Sequence, residues 1–340
     1  MIGLLLVAAA VAGGALLINV IRKSSRTNQG LQIDRRLLRR TPPAALGVRP
    51  GQPAEQAAVR LESSLPPDME ARVKDRVLKN RPGMKDREWD WIWFELKRFF
   101  LMSAVMRSVN MYSARVDKAW HEFLMFSREY QQFCERFCGA MIHHAPHAPR
   151  SDARLQTQER EERAWFDWVY GELFEPDQAS GSIWGSFYRY PLPQAVIKEF
   201  EQADHETLKQ SFFNPAATAA FPDLQAVADM LIDRMKRQIK EAKTHHERGE
   251  RPGRESFDPT GIGVLGGAMI FASMAGDPHI YDEYMRDQQL NRQSGSSCGA
   301  SVYGGDDDKN GGGNGSSCSS DGDSGSGSSC GSSCSGGCSS

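Results

Sequence analysis

Val116-Asp117-Lys118-Ala119-Trp120-His121-Glu122-Phe123-Leu124-Met125-Phe126, continued by Tyr130, Phe133, Cys134 and Ile142-His143-His144-Ala145-Pro146, is the stretch on which the reading of this chain turns. Its large apolar residues recur three and four apart, the spacing that gathers side chains on one face of an α-helix. Val116, Trp120, Phe123, Ser127, Tyr130, Cys134 and Phe137 fall on one such stripe. A single helix is therefore expected, capped by the Ser113 hydroxyl and stopped at Gly139.

The same period continues on both sides. Asp68 caps a helix that runs to Asn80 and ends at Arg81-Pro82-Gly83. Asp86 opens another, in which Trp89, Ile92, Trp93, Leu96, Phe99, Phe100 and Ser103 form a buried stripe. Arg154 to Leu173, Gln194 to Gln202 and Asp223 to His246 read as further helices, and the aromatic-rich Gly181 to Pro193 reads as a loop. His245 and His246 close the last of these helices, where cationic side chains are favoured without a special role. No stretch alternates with the period of two that a strand requires. The fold class is all-α, with a helical domain over residues 68–255.

The flanks differ in composition. Ile2 to Ile21 is a near-continuous apolar run of the length that spans a bilayer, and residues 1–23 are read as a transmembrane helix. A cleaved signal would carry positive charge before its apolar core, and none precedes this run. Arg22, Lys23, Arg26, Arg35, Arg36, Arg39 and Arg40 all follow it. By the positive-inside rule the N-terminus then faces outward and the helical domain is cytoplasmic, in a single-pass topology. Arg35, Arg36, Arg39 and Arg40 could also contact anionic lipid headgroups. Residues 24–67 are proline-rich and read as a linker with room for a short helix around Ala54 to Ser63. Residues 256–276 contain a second apolar run, Ile262 to Ala275. It is short for a span and is read as buried or interfacial; the alternative, a second span, would export the tail. Residues 277–340 are read as a tail whose Gly, Ser and Cys composition cannot offset the entropy of ordering it. With 41 basic and 43 acidic residues the chain lacks the positive excess of a nucleic-acid binder, and no nucleic-acid partner is expected.

Chemistry-bearing residues gather only in the opening stretch. His121-Glu122 begins like the H-E-x-x-H helix of zinc peptidases, but Met125 holds the position of the second histidine, so that motif is absent. Asp117 and His121 lie one turn apart, where a carboxylate can orient an imidazole or share a metal with it. On a continuous helix Cys134 is about 20 Å from His121. Cys134 would instead join His143 and His144 beyond Gly139. Asp117, His121, Cys134, His143 and His144 are thus the candidate metal ligands, with zinc the candidate ion and no catalytic residue assigned. The alternative role of the whole stretch is packing.

Val116-Asp117, Trp120-His121, Phe123, Tyr130, Phe133-Cys134, Gly139 and His143-His144-x-Pro146 resemble the D-x-x-W-H-x-F … Y-x-x-F-C … G … H-H-x-P signature of the uncharacterised bacterial glycine-rich domain-containing proteins. The resemblance covers Ser113 to Pro146 together with a tail of similar character, and Cys138 departs from it, standing where the family is more often aromatic. It implies no established activity. The sequence thus describes a membrane-anchored helical protein serving as an interaction or structural module. Its alternative is a metal- or thiol-dependent enzyme using the Asp117/His121 or Cys134/His143/His144 groups.

Overall fold

A computed structural model describes residues 40–144, 152–175, 177–252 and 264–293. In chain order its helices are α1 (Ala54–Ser64), α2 (Met69–Asn80), α3 (Asp86–Val105), α4 (Ala114–Leu124), α5 (Ser127–Cys138), α6 (Ala153–Leu173), α7 (Gln178–Trp184), α8 (Gln194–Gln202), α9 (His205–Phe212), α10 (Pro215–Ala220), α11 (Pro222–Glu247), α12 (Val264–Met274) and α13 (Pro278–Gln293). The described residues contain two isolated β-bridges, Val48 with Phe174 and Met106 with Phe213, and no strand. The all-α expectation holds.

The core is built around α3, whose rings are too many for one helical face. Trp89, Ile92, Leu96, Phe99 and Phe100 are buried as their spacing predicts, and so are Trp91, Phe94 and Leu101 on the other sides. On one flank Phe99 and Phe100 meet Trp120 of α4 at ring separations of 5.2 and 5.6 Å, and Phe100 meets Phe133 of α5 at 5.2 Å. On the other, α3 carries the fully buried pair Glu95 and Arg98. Glu95 accepts hydrogen bonds from the Tyr170 and Ser180 hydroxyls and from the Trp184 indole. Arg98 donates from Nε to the Leu46 carbonyl at 2.7 Å and from Nη1 to Tyr170 Oη at 2.6 Å. Both buried charges are therefore paired and hydrogen-bonded, the condition on which an interior ion pair is tolerated.

The proline-rich stretch taken as a linker departs from expectation. Its second half is part of the body: Leu46 and Val48 are buried, and Ala54, Ala57, Ala58 and Leu61 of α1 face α5 and α11. Small residues on the inner face of α1 allow this close packing, and Arg98 holds the turn at Leu46. Gly47 has φ +57°, and a Cβ there would overlap the Arg98 guanidinium at 2.4 Å, so glycine is required for the approach.

The helix expected from Ser113 to Gly139 is two helices. Ser113 Oγ accepts from Val116 N, and Gly139 ends α5 with φ 75°, as read. Between them Phe126 leaves the helical region (φ −97°, ψ 58°), and the chain turns. The Phe126 ring sits under the Arg72 guanidinium at 4.4 Å. Past the turn Ser127 is exposed, a departure from the expected stripe, while Tyr130, Phe133, Cys134 and Phe137 face inward.

The aromatic loop contains α7, capped by Asp177 accepting from Ala179 N. Two short helices, α9 and α10, were not expected; Asp204 and Asn214 cap them through Thr207 N and Ala217 N. The second apolar run forms α12, an eleven-residue helix buried against α11, α13 and α6. Gly266 there lies so close to Glu172 and Trp168 of α6 that a Cβ would come within 2.4 Å of the Glu172 carboxylate. The range read as tail begins with a helix, α13, whose Tyr281, Tyr284 and Met285 are buried. Among the described residues no helix is long and apolar enough to cross a membrane. The anchor expected at residues 2–21, Arg35, Arg36 and Arg39, and the tail beyond 293 lie outside the described residues. Arg40 is described, with its guanidinium 3.7 Å from Asp177.

Candidate metal centre

The centre is assembled by the turn at Phe126 and by one hydrogen-bonded relay. Helix α4 sets Asp117 and His121 one turn apart, with Asp117 Oδ2 at 3.5 Å from His121 Nδ1. Helix α5 then runs back along the core and releases the chain at Gly139. Tyr130 of α5 captures the returning segment: its hydroxyl accepts from Trp120 Nε1 at 3.0 Å and donates to the Ile142 carbonyl at 2.6 Å. Burial raises the Tyr130 phenol well above its ordinary pKa, so it stays a neutral donor and acceptor.

Two residues further on, His144 lies edge-on to the Trp120 ring, with centroids 4.5 Å apart, and 4.3 Å from the His121 ring. His144 Nε2 is 2.6 Å from Asp117 Oδ1. One potential ligand atom from each of Asp117, His121 and His144 lies within 4.8 Å of the others. The side chains are graded in exposure, 8% for His144, 21% for Asp117 and 51% for His121, so the group opens to solvent on the His121 side.

The five candidate ligands therefore part company. Asp117 and His121 are joined by His144 but not by the other two. His143 is exposed and outside the cluster. Cys134 and Cys138 are buried, and Cys138 Sγ donates to the Cys134 and Ala140 carbonyls at 3.4 and 3.2 Å. Burial raises both thiols, Cys138 to about 11, which favours their protonated form near neutrality. Glu122, the acid of the apparent peptidase motif, turns to α2 and pairs with Arg76 Nε at 2.7 Å.

A cavity of about 580 Å³ adjoins the centre. It is lined by Tyr112, Ser113 and Asp117 at the start of α4, by Gln156, Glu159, Arg160 and Arg163 of α6, and by Tyr190. Sequence reasoning missed the α6 and Tyr190 wall because nothing local links it to α4. The Trp120–Tyr130 relay was likewise invisible: helical spacing places both residues inward without saying which polar atoms meet.

A family model described as UCP032817-like, an uncharacterised family, matches residues 66–180. Over that span the chain is similar to this family. The match covers about a third of the 340 residues and contains all three residues of the centre. No curated protein and no solved structure was found to match the chain.

Proposed function

We propose that the helical domain binds a divalent first-row transition metal at Asp117, His121 and His144. The reading rests on one observation: a carboxylate and two imidazoles from α4 and from the segment after α5 bring ligand atoms within 4.8 Å of one another. Zinc bonds of about 2.0–2.2 Å put neighbouring ligand atoms under roughly 4 Å apart, a distance that rotation of the half-exposed His121 ring can close. Two histidines and one carboxylate are a donor set used by zinc and by non-haem iron, and three protein ligands leave a coordination position open. An ion bound there would supply Lewis acidity beside the adjoining cavity. The purified full chain, loaded with zinc and dialysed, is expected to hold one equivalent by elemental analysis. His121→Ala and His144→Ala should lose it with their helical circular dichroism intact. Metal-free wild-type protein after the same treatment would remove the reading.

A second reading is favoured by the 2.6 Å contact between His144 and Asp117. In it the pair is a hydrogen-bonded clasp that docks the 140–144 segment, and the Trp120, Phe123, Tyr130 and Phe133 core serves a structural or interaction module. Under that reading His144→Ala lowers the melting temperature while added zinc leaves the wild-type melting temperature unchanged. The membrane anchor at residues 2–21, with the domain cytoplasmic, belongs to the proposal on the strength of the apolar run and the basic residues that follow it. Thiol labelling of intact cells should leave Cys338 unreacted, and ready labelling would count against that topology.

A further inference from the structure

We propose that the cavity beside Asp117 is the ligand pocket of the metal centre and that it takes a small molecule bearing an oxyanion, a carboxylate or a phosphate. The inference rests on the metal reading above and deepens it. Its volume, about 580 Å³, falls in the range of small-molecule sites. Asp117 belongs both to the metal cluster and to the cavity wall, so the cavity meets the centre at the Asp117 carboxylate, and a ligand in it lies beside an ion held there.

The chemistry of the wall selects the ligand. Arg163 is a fixed part of the frame: it is buried, its Nε donates to Asp167 at 2.7 Å and its Nη1 to the Trp184 carbonyl at 2.9 Å. Arg160, one turn earlier on α6, is different. It is exposed, its guanidinium lies 5.7 Å from the Tyr190 ring centroid, and among the described residues no carboxylate lies within ion-pairing distance of it. Tyr112 adds a hydroxyl buried in the wall, with Asn110 the polar side chain beside it. Of the two acidic wall residues, Asp117 is committed to the centre and Glu159 has an interaction of its own. A divalent ion on one carboxylate and two neutral imidazoles leaves about one positive charge at the inner end. Arg160 supplies a second at the rim, and a guanidinium fork matches the two oxygens of a carboxylate or phosphate. Tyr190 holds that fork by cation–π contact, so little rotamer entropy remains to be lost on binding.

The test uses the full chain loaded with cobalt(II) alone, whose visible absorption reports its ligands. Inorganic phosphate and acetate are titrated separately, and glycerol serves as an uncharged probe. Phosphate, acetate or both should shift the cobalt bands saturably, whereas glycerol should not. Arg160→Gln should weaken the anion response about tenfold, the scale of one lost charge-assisted hydrogen bond, with cobalt affinity unchanged, and Arg160→Lys should recover part of it. The stronger of the two anions identifies the class. A normal cobalt spectrum that neither anion alters would overturn the pocket and leave the metal centre standing. An anion response of equal strength in Arg160→Gln would also overturn it. Failure to bind cobalt would overturn the metal centre and this inference together.

Discussion

Tyr130 organises the surroundings of the candidate centre, because its one hydroxyl fixes two elements. It holds the Trp120 indole on one side and the Ile142 carbonyl on the other, and Trp120 in turn forms the face on which His144 rests. Tyr130→Phe keeps the ring and its packing but leaves a buried indole N–H and a buried carbonyl unpaired. That should cost about 1–3 kcal/mol by chemical denaturation. Under the metal reading zinc affinity should fall about 10–100-fold, the effect of losing a residue that orients a ligand. A variant that loses stability but keeps full zinc affinity would show that His144 is held by other contacts. Asp167 offers a second residue-scale test. It is fully buried, hydrogen-bonded by Arg163 Nε and by Tyr188 N, and burial pushes its carboxyl up to about 6. The folded state therefore holds this proton more tightly than the unfolded chain does. The contribution is full below the ordinary carboxylate value near 4 and is lost as pH rises through about 6. Unfolding free energy measured from pH 4 to 7 should carry a falling component of up to ~3 kcal/mol that Asp167→Asn lacks. Parallel curves for the two proteins would contradict it.

At the scale of elements, the sequence made visible the helices that bury their own stripes and hid what depends on contacts across the chain. Trp89 to Phe100 announce α3 by spacing alone, and Ser113 and Gly139 mark the outer ends of α4 and α5. The turn at Phe126 carries no glycine or proline, so the periodicity ran through it unbroken. That one turn governs the candidate site. With a continuous helix His144 belongs with Cys134, and with the turn it belongs with Asp117 and His121. Two of the three residues that the fold brings together were therefore legible as the Asp117–His121 pair, and the third, His144, was named but grouped with Cys134. Glu95 and Arg98 were hidden for a related reason: nothing in their own helix tells which distant polar groups they meet. They lie where α3, α6, α7 and the Leu46 turn converge. Arg98→Met leaves Glu95 buried without its cation and should cost about 3–5 kcal/mol. Adding Glu95→Leu should restore part of that loss, and strictly additive costs in this double-mutant cycle would mean the two charges are not coupled.

At the scale of the whole molecule, the limits of the folding unit follow from burial rather than from composition. Residues 68–255 were expected to hold the helical domain, because prolines precede them and a separate apolar run and then a Gly/Ser/Cys-rich tail follow. Yet α1 covers α5 and α11 with Ala54, Ala57, Ala58 and Leu61, and Arg60 of α1 pairs with Asp223 and donates to the Phe137 carbonyl at 2.9 Å. At the other end α12 buries Leu265, Met269, Ile270 and Phe271, and Tyr281 of α13 donates to the Tyr188 carbonyl at 3.0 Å. Cutting at 68 and 255 removes these helices and bares the apolar surfaces they cover. Each fully buried large side chain bared in this way loses about 1.5–3 kcal/mol of burial, and the net reserve of a domain is only about 5–15 kcal/mol, so the shortened unit has little left to hold it folded. A chain of residues 40–293 is expected to unfold cooperatively, whereas residues 68–255 should bind a hydrophobic dye and melt without a sharp transition. Because the family match begins at residue 66 and ends at 180, a third chain limited to 66–180 should behave like the shorter of the two: it holds every residue of the centre but lacks α1, α11 and α12. A cooperative melt for 66–180 would show that the matched span folds by itself and that the outer helices only shield it.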